Sequence, residues 1–247
     1  MPRLEFKNVS FYWDERKLLD DVNFVLPNKG LLLIIGTAGA GKILIPKMVA
    51  GILSPDEGVI LLNGVSLHEG NDEQLKKLRG RVSYVFQNGG LISNLSVLEN
   101  LLLPLDFHFP EMSRPDKLEQ INALLGHFQL KGVLEARPAA LSKSVCKLIG
   151  FIRALLTCPE FVMYDEPLSN CEAPAQRAIL RKMVELRREG ITQVVVSQGT
   201  EYMLRVADHI LVLDQGRIVE MGAQKAIIES ENPITQAIMQ EYQSYEL

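Results

Sequence analysis

Apolar residues gather in short runs separated by longer amphipathic stretches. Leu31-Leu32-Leu33-Ile34-Ile35 is an uninterrupted apolar run that ends at Gly36. A run of this length bounded by a glycine reads as a strand buried on both faces. Phe161 to Tyr164, Val194 to Val196 and Ile210 to Leu213 have the same character. Val59 to Leu62 followed by Asn63-Gly64 reads as a strand and tight turn, and Val82 to Phe86 as a strand ending before Gln87. The first 30 residues read as short strands turning at Asp14-Glu15. Helical periodicity marks 173 to 188. A helix over Lys42 to Ala50 is closed by Gly51, and a capped tail helix has Pro233 at its permitted first position. Residues from about 90 to 155 are mostly helical in period, with breaks expected at Pro104, Pro110 and Pro138. Apolar strands alternating with helices predict an α/β fold on a mostly parallel, covered sheet. The central helical block interrupts that alternation like an inserted subdomain.

Composition narrows the class. The chain has 247 residues, 47% of them hydrophobic and 23% charged, ample for a sizeable core. A formal net charge of -4 gives no case for nucleic acid as a partner. Cys146, Cys158 and Cys171 form no C-x-x-C pair, so reduced thiols in a reducing compartment are expected rather than zinc. The opening MPRLEFKNVS has no apolar core of signal-peptide length, and no apolar run is long enough to cross a bilayer. The expectation is a cytoplasmic protein whose tie to a membrane runs through a partner.

Candidate chemistry begins at GTAGAGKIL, residues 36 to 44. Gly36, Gly39 and Gly41 let the backbone wrap a phosphate, and Ala40 lies between them. Lys42 adds charge for the outer phosphates, and the helix start adds N–H donors. The pattern G-x-x-x-x-G-K-S/T calls for a hydroxyl next, and the chain has Ile43, then Leu44. The second signal is FVMYDEP, residues 161 to 167. Its strand delivers Asp165 to the edge where open α/β sheets bind ligands, as a candidate magnesium carboxylate, with Glu166 beside it as a candidate general base.

With both motifs in order, the chain resembles, over nearly its full length, the nucleotide-binding subunit of an ATP-binding-cassette (ABC) transporter. The resemblance implies a P-loop core with an antiparallel N-terminal β-subdomain. It implies one domain over 1–247, with core segments 1–87 and 158–247 and a helical subdomain at 88–157. It implies ATP and Mg2+ as cofactors. Trp13 stands where the family stacks an aromatic on adenine, with Tyr12 adjacent as a substitute. Gln87 stands at the family's glutamine, which reaches magnesium and the attacking water. Leu141-Ser142 opens the segment that normally reads L-S-G-G-Q and contacts ATP held by the opposite subunit. Leu168 to Glu172 stands at the dimer-contact loop, and Gln198 at the switch histidine.

The chain departs from that pattern in the loop, in the signature segment and at the switch position. Ile43 cannot ligate a hard cation. Lys143 and Ser144 replace the signature glycines and are expected to obstruct the backbone's approach to phosphate. Gln198 cannot carry the charge of a histidine. Pro46 removes a donor from the loop helix. The departures together imply weak or absent hydrolysis. A still-active divergent ATPase and a non-catalytic structural pseudo-ATPase stay open as alternatives. The resemblance implies a membrane permease as partner, docked near Leu91, Ile92, Leu95 and Leu98, and a homo- or heterodimer of nucleotide-binding subunits. The segment 90 to 105 and the tail around Glu231-Asn232-Pro233 resemble the lipid-trafficking branch, which adds an MCE-domain lipid carrier as a partner.

Overall fold

In the computed structural model, residues 4–26, 29–197 and 201–243 are described. The chain opens with an antiparallel hairpin, β1 (Leu4–Trp13) and β2 (Arg16–Leu26). Asp14 turns it in the left-handed conformation, φ 52°. β3 (Gly30–Gly36) is the apolar run, and α1 (Leu44–Val49) follows the glycine loop. Next come β4 (Glu57–Leu62), β5 (Val65–Ser66), α2 (Asp72–Arg79) and β6 (Val82–Val85). Three helices lie between β6 and the next strand: α3 (Val97–His108), α4 (Arg114–His127) and α5 (Lys143–Leu155). The chain continues through β7 (Phe161–Asp165), α6 (Ala173–Arg188), β8 (Thr192–Val196) and α7 (Glu201–Val206). It ends with β9 (His209–Asp214), β10 (Arg217–Ala223), α8 (Gln224–Ile228) and α9 (Pro233–Gln243).

Two sheets form. One is antiparallel, in the order β2-β1-β4-β5; the other runs β10-β9-β3-β8-β7-β6. Strands β9, β3, β8, β7 and β6 are mutually parallel, and β10 closes one edge antiparallel to β9. The unbroken apolar run of β3 follows from this placement. Leu31, Leu33 and Ile35 face one core with α3 to α6, while Leu32 and Ile34 face a second core shared with α1 and the antiparallel sheet.

Several expectations need correction. The loop helix begins at Leu44, two residues later than the periodicity suggested. Pro46 therefore sits in the first turn, where its absent N–H would have no intrahelical acceptor. Pro104 does not break α3, which runs through it from a capping box made by Ser96 and Glu99. The buried face of Val97, Leu101, Leu102 and Leu105 outweighs the lost bond. α2 and β10 carry little apolar signal and were not foreseen; α2 is held by its Asn71 cap and β10 by its pairing with β9. No helix among the described residues is long and apolar enough to cross a membrane.

Candidate functional site

The C-terminal ends of β3 and β7 lie on the same edge of the parallel sheet, each paired with β8. That edge brings the glycine loop and the Asp165-Glu166 pair together. Gly36 passes so close to β9 that a Cβ there would sit 1.9 Å from the Leu213 carbonyl oxygen. Gly39 and Gly41 adopt φ of 78° and 87°, a region that disfavours side chains. Thr37 Oγ1 donates to Asp214 Oδ1 at 2.6 Å and braces the loop against the end of β9.

Lys42 is 6% exposed and folds back into the loop. Its ammonium donates to the carbonyls of Gly36 and Thr37, both at 2.7 Å. Burial lowers its pKa, while the carboxylates of Glu166 and Glu241 oppose that shift. Ala40 is buried in the core on the α1 side. Ile43 lies half-buried at the junction of loop and helix. Leu44 points into the core beneath, and its N–H is already bonded to the Gly41 carbonyl at 2.9 Å.

Asp165 ends β7, half-buried. Burial raises its pKa; the Lys47 ammonium, the Tyr84 hydroxyl and the Lys147 ammonium pull the other way. Glu166 adopts φ 47°, and its N–H donates to the Val196 carbonyl at 2.9 Å. Its own carbonyl accepts from Lys147 Nζ at 2.5 Å and from Ser169 Oγ at 3.0 Å. Lys147 also donates to the Ser169 carbonyl at 2.6 Å and to Ser169 Oγ at 3.1 Å. No sequence motif marks this lysine. Its signal was a charge inside the apolar stretch of α5, where burial demands a full set of acceptors.

The other foreseen residues spread around this edge. Trp13 closes β1 and is 63% exposed, its ring open to a stacking partner. Gln87 follows β6 and is exposed in a cleft of about 390 Å³ shared with Asn88, Lys143, Lys147 and Asn170. Ser142 is the N-cap of α5, and its Oγ accepts the Val145 N–H at 3.3 Å. Ser144 does not project as an obstruction. It is buried, and its Oγ accepts the Glu172 N–H at 3.0 Å. Lys143 alone of the two replacements is exposed. Gln198 lies outside the described residues.

A magnesium ion at such a loop is held by the loop hydroxyl and a strand-end aspartate. The residues here do not fit that ion well. Ile43 offers no oxygen where the hydroxyl is expected.

The ABC transporter family model matches residues 19–169. The methionine import ATP-binding protein MetN of Protochlamydia amoebophila is 32% identical over 210 residues, covering 85% of this chain and 61% of that protein. The chain thus spans less than two thirds of that relative. The intermembrane phospholipid transport system ATP-binding protein MlaF of Escherichia coli (strain K12) is 27% identical over 231 residues, covering 93% of this chain and 86% of that protein. A solved ATP-binding subunit of an ABC transporter superposes with a TM-score of 0.83 at 25% identity, covering 98% of each chain. A dimeric ATP-binding cassette in a post-hydrolysis state with ADP and Pi superposes with a TM-score of 0.82 at 24% identity, covering 90% of this chain and 98% of that one.

Proposed function

Because the chain belongs to the ABC transporter family, we propose that it is the ATP-binding subunit of a phospholipid-trafficking transporter, with weak or absent hydrolysis of its own. The observation that carries nucleotide binding is Lys42, buried inside a glycine loop and bonded to that loop's carbonyls, on the sheet edge that also presents Asp165-Glu166. The lipid assignment draws on the phospholipid-transport relative, which aligns along most of both chains, whereas the methionine-import relative is longer than the match.

Each residue takes a role in this reading. Gly36, Gly39, Ala40, Gly41 and Lys42 form the phosphate cradle, and Ile43 and Leu44 close it without a metal ligand. Trp13 stacks on the base. Glu166, with Gln87 and Gln198, is the residual machinery for activating water. Ser142 meets the nucleotide of a second cassette in a dimer of like or unlike subunits. Residues 88–157 act as the helical subdomain. The permease docks against the groove of about 340 Å³ that includes Ile52, Phe86, Leu103 and Pro104. Ile52, Phe86 and Leu103 are exposed apolar side chains. That groove draws on Leu103 and Pro104 of the expected segment, while Leu91 and Leu98 pack on the core. An MCE-domain carrier lies beyond the permease, and the chain sits at the inner face of the cytoplasmic membrane.

A non-hydrolysing scaffold is the second reading. It is favoured by Ser144, which braces the chain's own α6 start. ATP turnover of the chain with its membrane partners, beside Glu166→Gln and an ATP-binding titration, separates the two. We expect binding, with turnover at least about a hundredfold below the ~10 s⁻¹ of a median enzyme. Fast turnover abolished by Glu166→Gln makes the chain an active ATPase, and absence of binding leaves the scaffold. The same titration tests the stacking residue. Trp13 is the sole tryptophan, so its fluorescence should change on ATP binding. Trp13→Ala should weaken ATP about tenfold, in line with ~1–3 kcal/mol for an aromatic stacked on a base.

A further inference from the structure

We propose that Lys147 is a positioning residue for Glu166: from α5 it holds the Glu166 backbone in the left-handed conformation that sets where the carboxylate leaves the sheet edge. The role of that carboxylate rests on the reading above; the grip on its backbone does not.

Glu166 is the first residue after β7, and its φ is 47°. A residue that carries a side chain loses about tenfold in population in that region. Such a conformation persists only where surrounding bonds over-determine it, and it gathers at functional sites. Here the bonds close on both peptide groups of the residue. Its N–H donates to the Val196 carbonyl at 2.9 Å. Its carbonyl accepts from Lys147 Nζ at 2.5 Å, from Ser169 Oγ at 3.0 Å and from the Ser169 N–H at 3.2 Å. The direction of that carbonyl follows from the dihedrals of Glu166, so a donor that fixes the carbonyl fixes the conformation. The side chain leaves the same Cα, and its path is set by the same dihedrals.

Lys147 is 2% exposed, on the side of α5 that meets the loop 166–172. A buried ammonium requires acceptors, and any nearby oxygens would satisfy it. All three that it takes belong to two residues of this loop: the Glu166 carbonyl, the Ser169 carbonyl at 2.6 Å and Ser169 Oγ at 3.1 Å. Ser144, three residues earlier on α5, accepts the Glu172 N–H at 3.0 Å. Gln176 of α6 holds the loop from its other end, its Nε2 donating to the Leu168 and Cys171 carbonyls, both at 3.1 Å. Among these ties Lys147 alone is charged. Charge-assisted bonds are about twice as strong as neutral ones, so Lys147 is the tie whose loss frees Glu166.

The test is hydrogen–deuterium exchange of the full chain without nucleotide, reading the loop 166–172 relative to β3. Lys147→Met keeps the length and loses the donors, and should raise loop exchange by about tenfold or more. Glu166→Gly supplies the second background, because glycine enters the left-handed region without a Cβ penalty. There Lys147→Met should raise loop exchange by no more than about threefold. A lysine that served only its own hydrogen-bonding needs would give equal factors in both backgrounds, and equal factors overturn the inference. Unchanged loop exchange in Lys147→Met overturns it too. Ser169→Ala removes a donor to the same carbonyl without stranding a charge, and should raise loop exchange about threefold, again less with Gly at 166; it decides the matter where Lys147→Met does not fold. Single-turnover ATP hydrolysis, with protein in excess, reads the consequence. Lys147→Met should slow it about tenfold while ATP affinity stays within about threefold. Unslowed turnover with a loosened loop overturns the positioning role. A wild-type chain that binds ATP without turnover overturns the role given to the Glu166 carboxylate, and the exchange cycle still decides on Lys147.

Discussion

Lys42→Met is expected to reduce ATP affinity by about a hundredfold or more. The thioether keeps the length of the side chain and loses the charge. Two charge-assisted bonds to phosphate, at ~1.5–3 kcal/mol each, account for that loss. The ammonium lies inside the loop, donating to Gly36 and Thr37 carbonyls at 2.7 Å, which on the proposed reading is where the outer phosphates come. Nucleotide arrival requires the phosphates to share or displace those carbonyls, which costs little because the ammonium has three protons to place. Without nucleotide, the substitution removes the ammonium's two bonds to the Gly36 and Thr37 carbonyls, so a modest fall in melting temperature should accompany the loss of binding. Titration of the wild type and the variant reads the first effect, and thermal denaturation reads the second. Affinity within tenfold of wild type would remove Lys42 from the phosphate site.

Gly36→Ala should cost at least about 4 kcal/mol of stability, among the largest effects a single methyl group produces. The added Cβ would sit 1.9 Å from the Leu213 carbonyl oxygen and 2.9 Å from its carbon, both backbone atoms of the neighbouring central strand. Neither can move without parting β3 from β9, whose pairing runs through Gly36 and Leu213. For a chain of this size the shift in melting temperature is about 8–16 °C. Gly39→Ala is the control. Nothing lies within 4 Å of its Cβ position, so it meets only the strain of φ 78°. That should cost about 1–2 kcal/mol. Equal effects at the two positions would show that conformational strain, rather than contact with β9, governs the loop.

The elements were legible to the degree that they are buried. The strands of the parallel sheet read correctly from apolar runs because both of their faces are covered, and α6 spans the residues its periodicity indicated. Elements with polar faces did not read. α2 has a single buried residue, Leu78, and β10 has none. Pro104 misled for the reverse reason. Proline is a local signal, and the packing of α3 against the core overrode it. In the candidate site, the glycine loop and Asp165-Glu166 were legible because phosphate and strand-edge chemistry restrict residue type at short spacing. Lys147 was not, because its partners lie 19 and 22 residues away along the chain.

Sequence alone determined the alternating α/β architecture, the glycine loop between β3 and α1, and the absence of a hydroxyl at Ile43. These follow from side-chain chemistry and local spacing, which a linear chain displays in full. Tertiary structure alone decided what the departures do. Ser144, expected to block a phosphate, turns inward to Glu172. Lys147, one charge among many in the sequence, becomes the fixed cation behind Glu166. The direction in which a side chain points depends on what packs against it, and α5 meets the β7–α6 loop only when the sheet has formed.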